Sequence, residues 1–304
     1  MADKVMAVVS VLGQDQKGVV ARFANYLAGH GVNIEDIQQH VVRGLFVMDM
    51  VVDLAEMSLS LDELVTGLLE TGGEIGMEVR LALHGEKRRK NLAILVSKEP
   101  HCLKQMLADE AAGKYRGKTR VVLSNHEALR PIAEEAGVEF LHMPSDDKPA
   151  HMQWLVDQMS QRRIDCVALA RYMQVLTPNV VEAFRHKIIN IHPSLLPYFP
   201  GARPYQQAWE QGVRVSGCTA HFVTEDLDEG PIILQDVFHI NVGVDTPEDV
   251  RRKGLTLEAD VLSKAVQYFL NEQLVVVEDR VVFKPGLSTL SDVADDRGDH
   301  PAAG

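Results

Sequence analysis

The sequence predicts an α/β protein in two parts, a ferredoxin-like βαββαβ unit over residues 1–84 and a mostly parallel, Rossmann-like sheet domain over residues 92–284. Three observations carry this. Up to Leu83, strand-like alternation and helical spacing follow one another in the order β, α, β, β, α, β. From Leu92, short runs rich in Val, Ile and Leu alternate with helical stretches, the pattern of parallel strands covered on both faces. Between the two lies Gly85-Glu-Lys-Arg-Arg-Lys-Asn91, polar throughout with four basic residues in a row, which reads as a solvated linker over 85–91.

In the first part, Val5–Leu12 is strongly strand-forming. Gly13-Gln-Asp-Gln-Lys-Gly18 is a turn feeding a helix whose apolar face is Val19, Val20, Phe23, Tyr26 and Leu27. Gly29 and Gly31 stop that helix. Val32–His40 and Val41–Val52 read as two strands around a turn, Leu61–Leu69 has helical spacing, and Met77–Leu83 is the last strand. A unit this small is marginal alone, so association into a homodimer or homotetramer is expected.

In the second part, Leu92–Val96, Arg120–Leu123, Val138–Leu141, Cys166–Ala170 and Lys187–Ile191 read as strands, with Glu127–Ala136 and Met152–Ser160 as helices. Ligands of such a sheet sit outside the carboxyl ends of its strands, near a switch in strand order. Val213–Val223 and Pro231–Ile240 read as longer strands joined by the acidic loop Thr224–Gly230. Pro247–Leu270 reads as a long helix opened by Pro247 and Glu248, and Leu274–Phe283 as a terminal hairpin. The tail over 285–304 carries four Asp and no apolar period, so disorder is expected there.

Composition excludes several classes of function. Apolar residues make up 46% of the chain, enough for real cores. Lys and Arg number 31 against 43 Asp and Glu, a formal charge of -12, which disfavours a broad grip on nucleic acid or an anionic membrane. No run approaches a membrane span, and Asp3 and Lys4 precede an apolar run too short for a signal sequence. Cys102, Cys166 and Cys218 form no CxxC and leave one thiol over in any disulfide scheme, which suits a reducing, cytoplasmic compartment. No GxGxxG follows Leu92–Val96, so a dinucleotide or ATP site lacks support. No HExxH or paired His and Cys spacing supports a metal site.

The densest polar feature is Asn190-Ile-His-Pro-Ser-Leu-Leu-Pro197. At the end of an alternating strand, Asn190 and His192 share one side, and Pro193, Pro197 and Pro200 stiffen the loop after the strand. The second feature, Gly217–Gln235, places His221 on a strand and Asp228 in the acidic loop before Gly230. An Asn amide and a protonated imidazole facing a developing oxyanion, with an Asp orienting the His or a water, suit attack on an acyl carbon. An Asn or His at a strand end also commonly satisfies local backbone groups, and spacing alone does not separate these readings.

Three motifs, NIHPSLLP over 190–197, GARPYQQA over 201–208 and GCTAHFVTEDLDEGPIILQ over 217–235, resemble the signature of the folate-dependent formyltransferases. The resemblance spans about residues 90–283 and implies a formyltransferase-like catalytic domain. The first part, with GQDQKGVVARFANYLAGHGVNIEDIQQ, resembles an ACT domain, an arrangement typical of the deformylase branch. SKEPHCLKQML in place of a glycine-rich phosphate loop, together with VVLSNHEAL and ALARYMQVLTP, is similar to that branch as well. One departure is visible, since Pro193 stands where deformylases commonly carry a second histidine.

By this resemblance the reaction is hydrolysis of 10-formyltetrahydrofolate to formate and tetrahydrofolate, with Asn190, His192 and Asp228 catalytic and no tightly bound cofactor. A transferase with an amine acceptor and a non-catalytic folate sensor are the alternatives. The resemblance further implies that the pterin inserts beside Arg171, Met173, Val175 and Leu176 and beside Thr224, Leu227 and Gly230. Core or wall packing is the other reading of the apolar ones. Arg171 and Arg203 are candidate contacts either for the glutamate of folate or for carboxylates within the protein. For the ACT domain, Asp15–Gly18 and Asn33 mark where an amino-acid effector, glycine or methionine in the family, would bind, against a purely dimer-forming role.

Overall fold

The structure is a computed structural model that describes residues 5–42, 44–83, 89–198, 204–277 and 280–283. The chain divides into two compact units, the second spanning Arg89–Val282. The first contains β1 (Met6–Gln14), α1 (Val19–Gly29), β2 (Asn33–Val42), β3 (Leu45–Asp53), α2 (Leu61–Gly73) and β4 (Glu78–Leu83). Its sheet is antiparallel with order β2-β3-β1-β4.

Period-two alternation decides which face of that sheet is covered. Ala7, Val9 and Val11 of β1 join Met48, Met50 and Val52 of β3 in one core with Val19, Phe23 and Leu27 of α1 and Leu64 and Leu68 of α2. Val20 and Tyr26, expected on the same helix face, are only partly buried at its margin. Ser60 and Glu63 form a reciprocal capping box that opens α2. Gly31, at φ 73°, turns the chain after α1 where a Cβ would lie 2.6 Å from the Glu56 carbonyl oxygen. The β2–β3 turn falls later than the sequence suggests. Val41 stays in β2 opposite Phe46, and Gly44 at φ 83° supplies the left-handed backbone.

The second unit contains β5 (Lys90–Val96), α3 (His101–Ala111), β6 (Gly117–Ser124), α4 (Arg130–Glu135), β7 (Glu139–His142), α5 (Lys148–Gln161), β8 (Cys166–Ala170), α6 (Pro178–Ala183) and β9 (Ile188–His192). It continues with α7 (Pro204–Glu210), β10 (Val215–Phe222), β11 (Ile232–His239), α8 (Pro247–Leu270), β12 (Leu274–Val277) and β13 (Arg280–Phe283). Seven strands form a mixed sheet of order β11-β10-β9-β8-β5-β6-β7. Five are parallel, and β10 runs antiparallel to both of its neighbours, β9 and β11.

Alternation along β5 shows both faces filled. Leu92, Ile94 and Val96 join a core with Leu103 and Met106 of α3 and Val261 and Leu262 of α8, whereas Ala93 and Leu95 join Met152, Leu155 and Met159 of α5. The strand begins at Lys90, inside the stretch expected to be linker. Asn91 holds it there, its N–H donating to Asp165 Oδ2 at 2.8 Å and its side-chain amide to the carbonyls of Arg162 and Arg163 at 3.1 and 3.0 Å. His84, residues 85–88 of that linker, Pro200, Arg203 and the tail from 284 onward lie outside the described residues.

Strand order reverses at β5, which has β6 on one side and β8 on the other. The crevice this opens at the carboxyl ends of the strands is where an α/β sheet presents ligands. Among the described residues no helix is long and apolar enough to cross a membrane. The three cysteines are free and buried, and burial pushes all three thiols well above their ordinary range.

Candidate active site

A cavity of about 960 Å³ opens at the carboxyl ends of β8 and β9. Its walls are Leu169, residues 171–176, the end of β9 with Pro193, the start of α7, His221, the loop 223–228, and Pro247, Glu248 and Arg251 at and near the start of α8.

The polar centre arises from strand pairing. β9 and β10 are antiparallel neighbours in a register that sets Asn190 opposite His221 and His192 opposite Thr219. Asn190 Nδ2 therefore donates to His221 Nε2 at 3.2 Å. Beyond β10 the chain turns at Asp228, whose φ of 58° is left-handed, a conformation that non-glycine residues seldom adopt. The turn returns the carboxylate over β9, with Oδ2 at 3.1 Å from His192 Nδ1 and Oδ1 at 3.5 Å from Asn190 Nδ2 and 3.6 Å from His221 Nε2.

Protonation follows from these contacts. His192 Nδ1 faces a carboxylate and so carries the proton, leaving Nε2 with its lone pair; that atom is buried and has no hydrogen-bond partner. His221 donates from Nδ1 to the Phe222 carbonyl at 2.9 Å, so its Nε2 accepts from Asn190. Asp228 is held well below the usual carboxylate range chiefly by its hydrogen bond from His192, against the opposing effect of burial. The arrangement offers an ionised carboxylate, an imidazole with a free basic nitrogen and an amide donor on one wall, the groups that addition to a carbonyl carbon requires.

The flanking walls are apolar and open. Met173 is 64% exposed, Val175 55% and Leu227 67%, all lining the cavity with Leu176 and Thr224. Tethers hold the 171–176 wall in place. Ser97 Oγ accepts from the Met173 N–H at 3.0 Å and donates to Asn125 Oδ1 at 2.7 Å, and the Tyr172 hydroxyl is hydrogen-bonded to Nε2 of buried His151. Burial lowers the His151 pKa, which keeps its ring neutral and able to accept.

The structure thus brings Asn190, His192 and Asp228 together and sets Arg171, Met173, Val175, Leu176, Thr224 and Leu227 around the same cavity. It leaves Gly230 out of the lining. There the backbone runs so close to β10 that a Cβ would lie 1.8 Å from the Phe222 carbonyl oxygen. His221 completes the polar centre, although the sequence shows it only as a polar residue on a strand. Asp15 and Asn33 of the first unit are exposed, with Asn33 Nδ2 donating to Glu35 Oε1 at 3.2 Å.

His101, Cys102 and Glu258 bring potential ligand atoms within 4.8 Å of one another. Both Glu258 oxygens are already engaged, Oε1 by the Tyr205 hydroxyl at 2.6 Å and Oε2 by His101 Nε2 at 3.2 Å and Arg171 Nε at 3.5 Å. The arginine charge beside them disfavours a cation.

Residues 90–266 match the family model described as formyl transferase, and residues 6–82 match the ACT domain model. A formyltetrahydrofolate deformylase of Bacillus subtilis is 36% identical over 273 residues, 88% of this chain and 90% of the relative. The crystal structure of a formyltetrahydrofolate deformylase from Pseudomonas syringae superposes with a TM-score of 0.83 at 32% identity, covering 92% of this chain and 94% of that one. A glycinamide ribonucleotide transformylase from Symbiobacterium toebii, 36% identical with a TM-score of 0.62, covers 67% of this chain and 98% of its own.

Proposed function

Because the chain belongs to the formyltetrahydrofolate deformylase family, with an ACT domain ahead of a formyl transferase domain, we propose that it hydrolyses 10-formyltetrahydrofolate to formate and tetrahydrofolate at the cavity of Asn190, His192 and Asp228. The observation that carries this reading is the convergence of an ionised Asp228, a tautomer-fixed His192 and the Asn190 amide on one wall of a cavity with apolar flanks. Likeness to deformylases over both domains favours water as acceptor, since the transformylase likeness covers 67% of the chain.

The folate enters with its pterin between the 171–176 wall and the 224–228 loop, where Met173, Val175, Leu176 and Leu227 offer apolar surface and Thr224 a hydroxyl. The formyl carbon then stands against Asn190 and His192. Asp228 positions a water, which adds to that carbon to form a tetrahedral intermediate, and the water proton passes to the Asp228–His192 pair. In the free enzyme Asn190 Nδ2 donates to both His221 and Asp228. The longer bond, 3.5 Å to Asp228, sits at the limit of hydrogen bonding and is the one released to the oxyanion. Protonated His192 donates to the same oxygen from Nε2. N10 then accepts that proton from His192, the C–N bond breaks, and the product leaves as formic acid, which gives its proton to water to become formate, together with tetrahydrofolate.

No tightly bound cofactor takes part in this scheme. The ACT domain is of a kind that generally binds small-molecule effectors. In this reading the effector is an amino acid beside Asp15–Gly18 and Asn33, and the chain works in the cytoplasm as a homodimer or homotetramer.

The test is formate release from purified protein given 10-formyltetrahydrofolate in buffer alone, with His192→Ala and Asp228→Ala as controls. Formate and tetrahydrofolate in equal amounts, lost in both variants, are expected. Folate binding without release would turn the reading to a transferase awaiting an amine or to a sensor.

A further inference from the structure

We infer that Arg171 is the carboxylate receptor of the cavity and that Glu258 is the positioning residue that presents it, an inference that rests on the folate reading above. Glu258 lies on α8 with no exposed surface. A carboxylate so placed needs partners, because its charge is otherwise uncompensated. Tyr205 reaches it because α8 carries glycine one turn earlier, at 254, where a Cβ would lie 2.2 Å from Tyr205 Cζ. Burial, followed by the charge of Glu258, pushes the Tyr205 hydroxyl well above its ordinary range, so it serves as a donor.

Arg171 is the cation of this cluster, and only one edge of it is used. Its Nε lies 3.5 Å from Glu258 Oε2, a charge contact that is too long and poorly aligned for a hydrogen bond, since Nε is otherwise unpartnered. Among the described residues the Nη edge makes no hydrogen bond. The side chain keeps 21% exposure and lines the cavity. The backbone at Arg171 is left-handed, φ 60°, directly after β8, which is the kind of conformation found where function holds a residue in place.

A guanidinium with Nε turned toward Glu258 and no hydrogen bond along Nη presents two parallel N–H bonds in a plane, the geometry that fits a carboxylate in a bidentate manner. The other cation on the wall, Arg251, is engaged by Glu99 at 3.1 Å and Glu248 at 3.4 Å. The remaining charged wall residues, Glu225, Asp226, Asp228 and Glu248, are acidic and repel an anion. A carboxylate that enters therefore goes to Arg171. It has two sources in the reaction, the glutamate end of the substrate and the released formate.

Calorimetric titration of the full chain with tetrahydrofolate, tetrahydropteroate and sodium formate tests this, using wild type, Arg171→Gln, Glu258→Gln and the double variant. At least one carboxylate ligand is expected to lose roughly tenfold or more in affinity in each single variant, as for loss of a charged hydrogen-bond pair. The double variant should be no worse than the singles, because the two residues act as one unit. A loss for tetrahydrofolate but not for tetrahydropteroate assigns the glutamate, and a loss for formate alone assigns the product.

Unchanged affinities in Arg171→Gln overturn the receptor. Equal losses for tetrahydrofolate and tetrahydropteroate with formate unaffected overturn it too, since that is general distortion of the wall. Wild-type affinities in a folded Glu258→Gln overturn the positioning role. Should that variant not fold, Glu258→Asp keeps the charge with a shorter reach and must show the same selective loss. None of these titrations needs turnover, so failure of wild type to release formate would sink the hydrolytic reading separately.

Discussion

The Asp228 carboxylate meets His192 at Nδ1, 3.1 Å away, and leaves Nε2 buried and unpartnered. One contact thereby fixes both the tautomer and the ring orientation of His192 before any substrate arrives. Pre-organisation of this sort is what lets a neutral imidazole take or give a proton at a defined atom.

In the proposed reaction Asn190 is the amide donor toward the oxyanion. Asn190→Ala should lower kcat by about 10²–10³-fold, equivalent to roughly 2.7–4 kcal/mol in the barrier, with little change in KM. Steady-state formate release measures this. Unchanged turnover rejects the role.

Asp228 links the site to pH. Its folded pKa is depressed by His192 and His221, so its contribution to stability is full above the unfolded value of about 3.9 and is lost as pH falls through the lower folded value. Asp228→Asn should melt below wild type at neutral pH, and the gap should begin to narrow below about pH 4 and close only as the lower folded value is passed. Thermal melts over that range give the comparison, and a gap that does not narrow in acid refutes the assignment.

Met173 and Leu227 are exposed, at 64% and 67%, and therefore add little to folding. Replacing either by Ala should leave stability within the few tenths of a kcal/mol typical of surface sites, with Tm little moved, while raising KM for the folate several-fold. A large drop in Tm, or an unmoved KM in both variants, would mean that these side chains do not form a binding wall.

Gly230 behaves in the opposite way. Because a Cβ there would lie 1.8 Å from a backbone oxygen, Gly230→Ala must displace the strand end and should destabilise by about 1–3 kcal/mol or more. Chemical denaturation reads the change in midpoint. A neutral result would show that the 224–230 loop yields freely.

Much of this was legible in the sequence. Val9 and Val11 declare a half-buried strand by alternation, and Phe23 and Leu27 declare the covered face of a helix by spacing. Asn190 and His192 stand out because two polar residues end an apolar run. The β2–β3 turn and the start of β5 differ from what the sequence suggests for a related reason, since strand ends are set by what the neighbouring strand or loop offers. Val41 is held by pairing with Phe46, and Asn91 by Asp165 far along the chain.

By itself, the sequence determined the order of elements and the two-part organisation and marked Asn190, His192 and Asp228 as polar candidates, because local periodicity and residue type report on burial within a few positions. Only the tertiary structure decided which groups meet. The β9–β10 register sets His221 against Asn190, the left-handed turn at Asp228 carries the carboxylate back to His192, and α8 delivers Glu258 to Arg171. Those distances depend on pairing between segments remote in the chain, and periodicity within a segment carries no record of its partner.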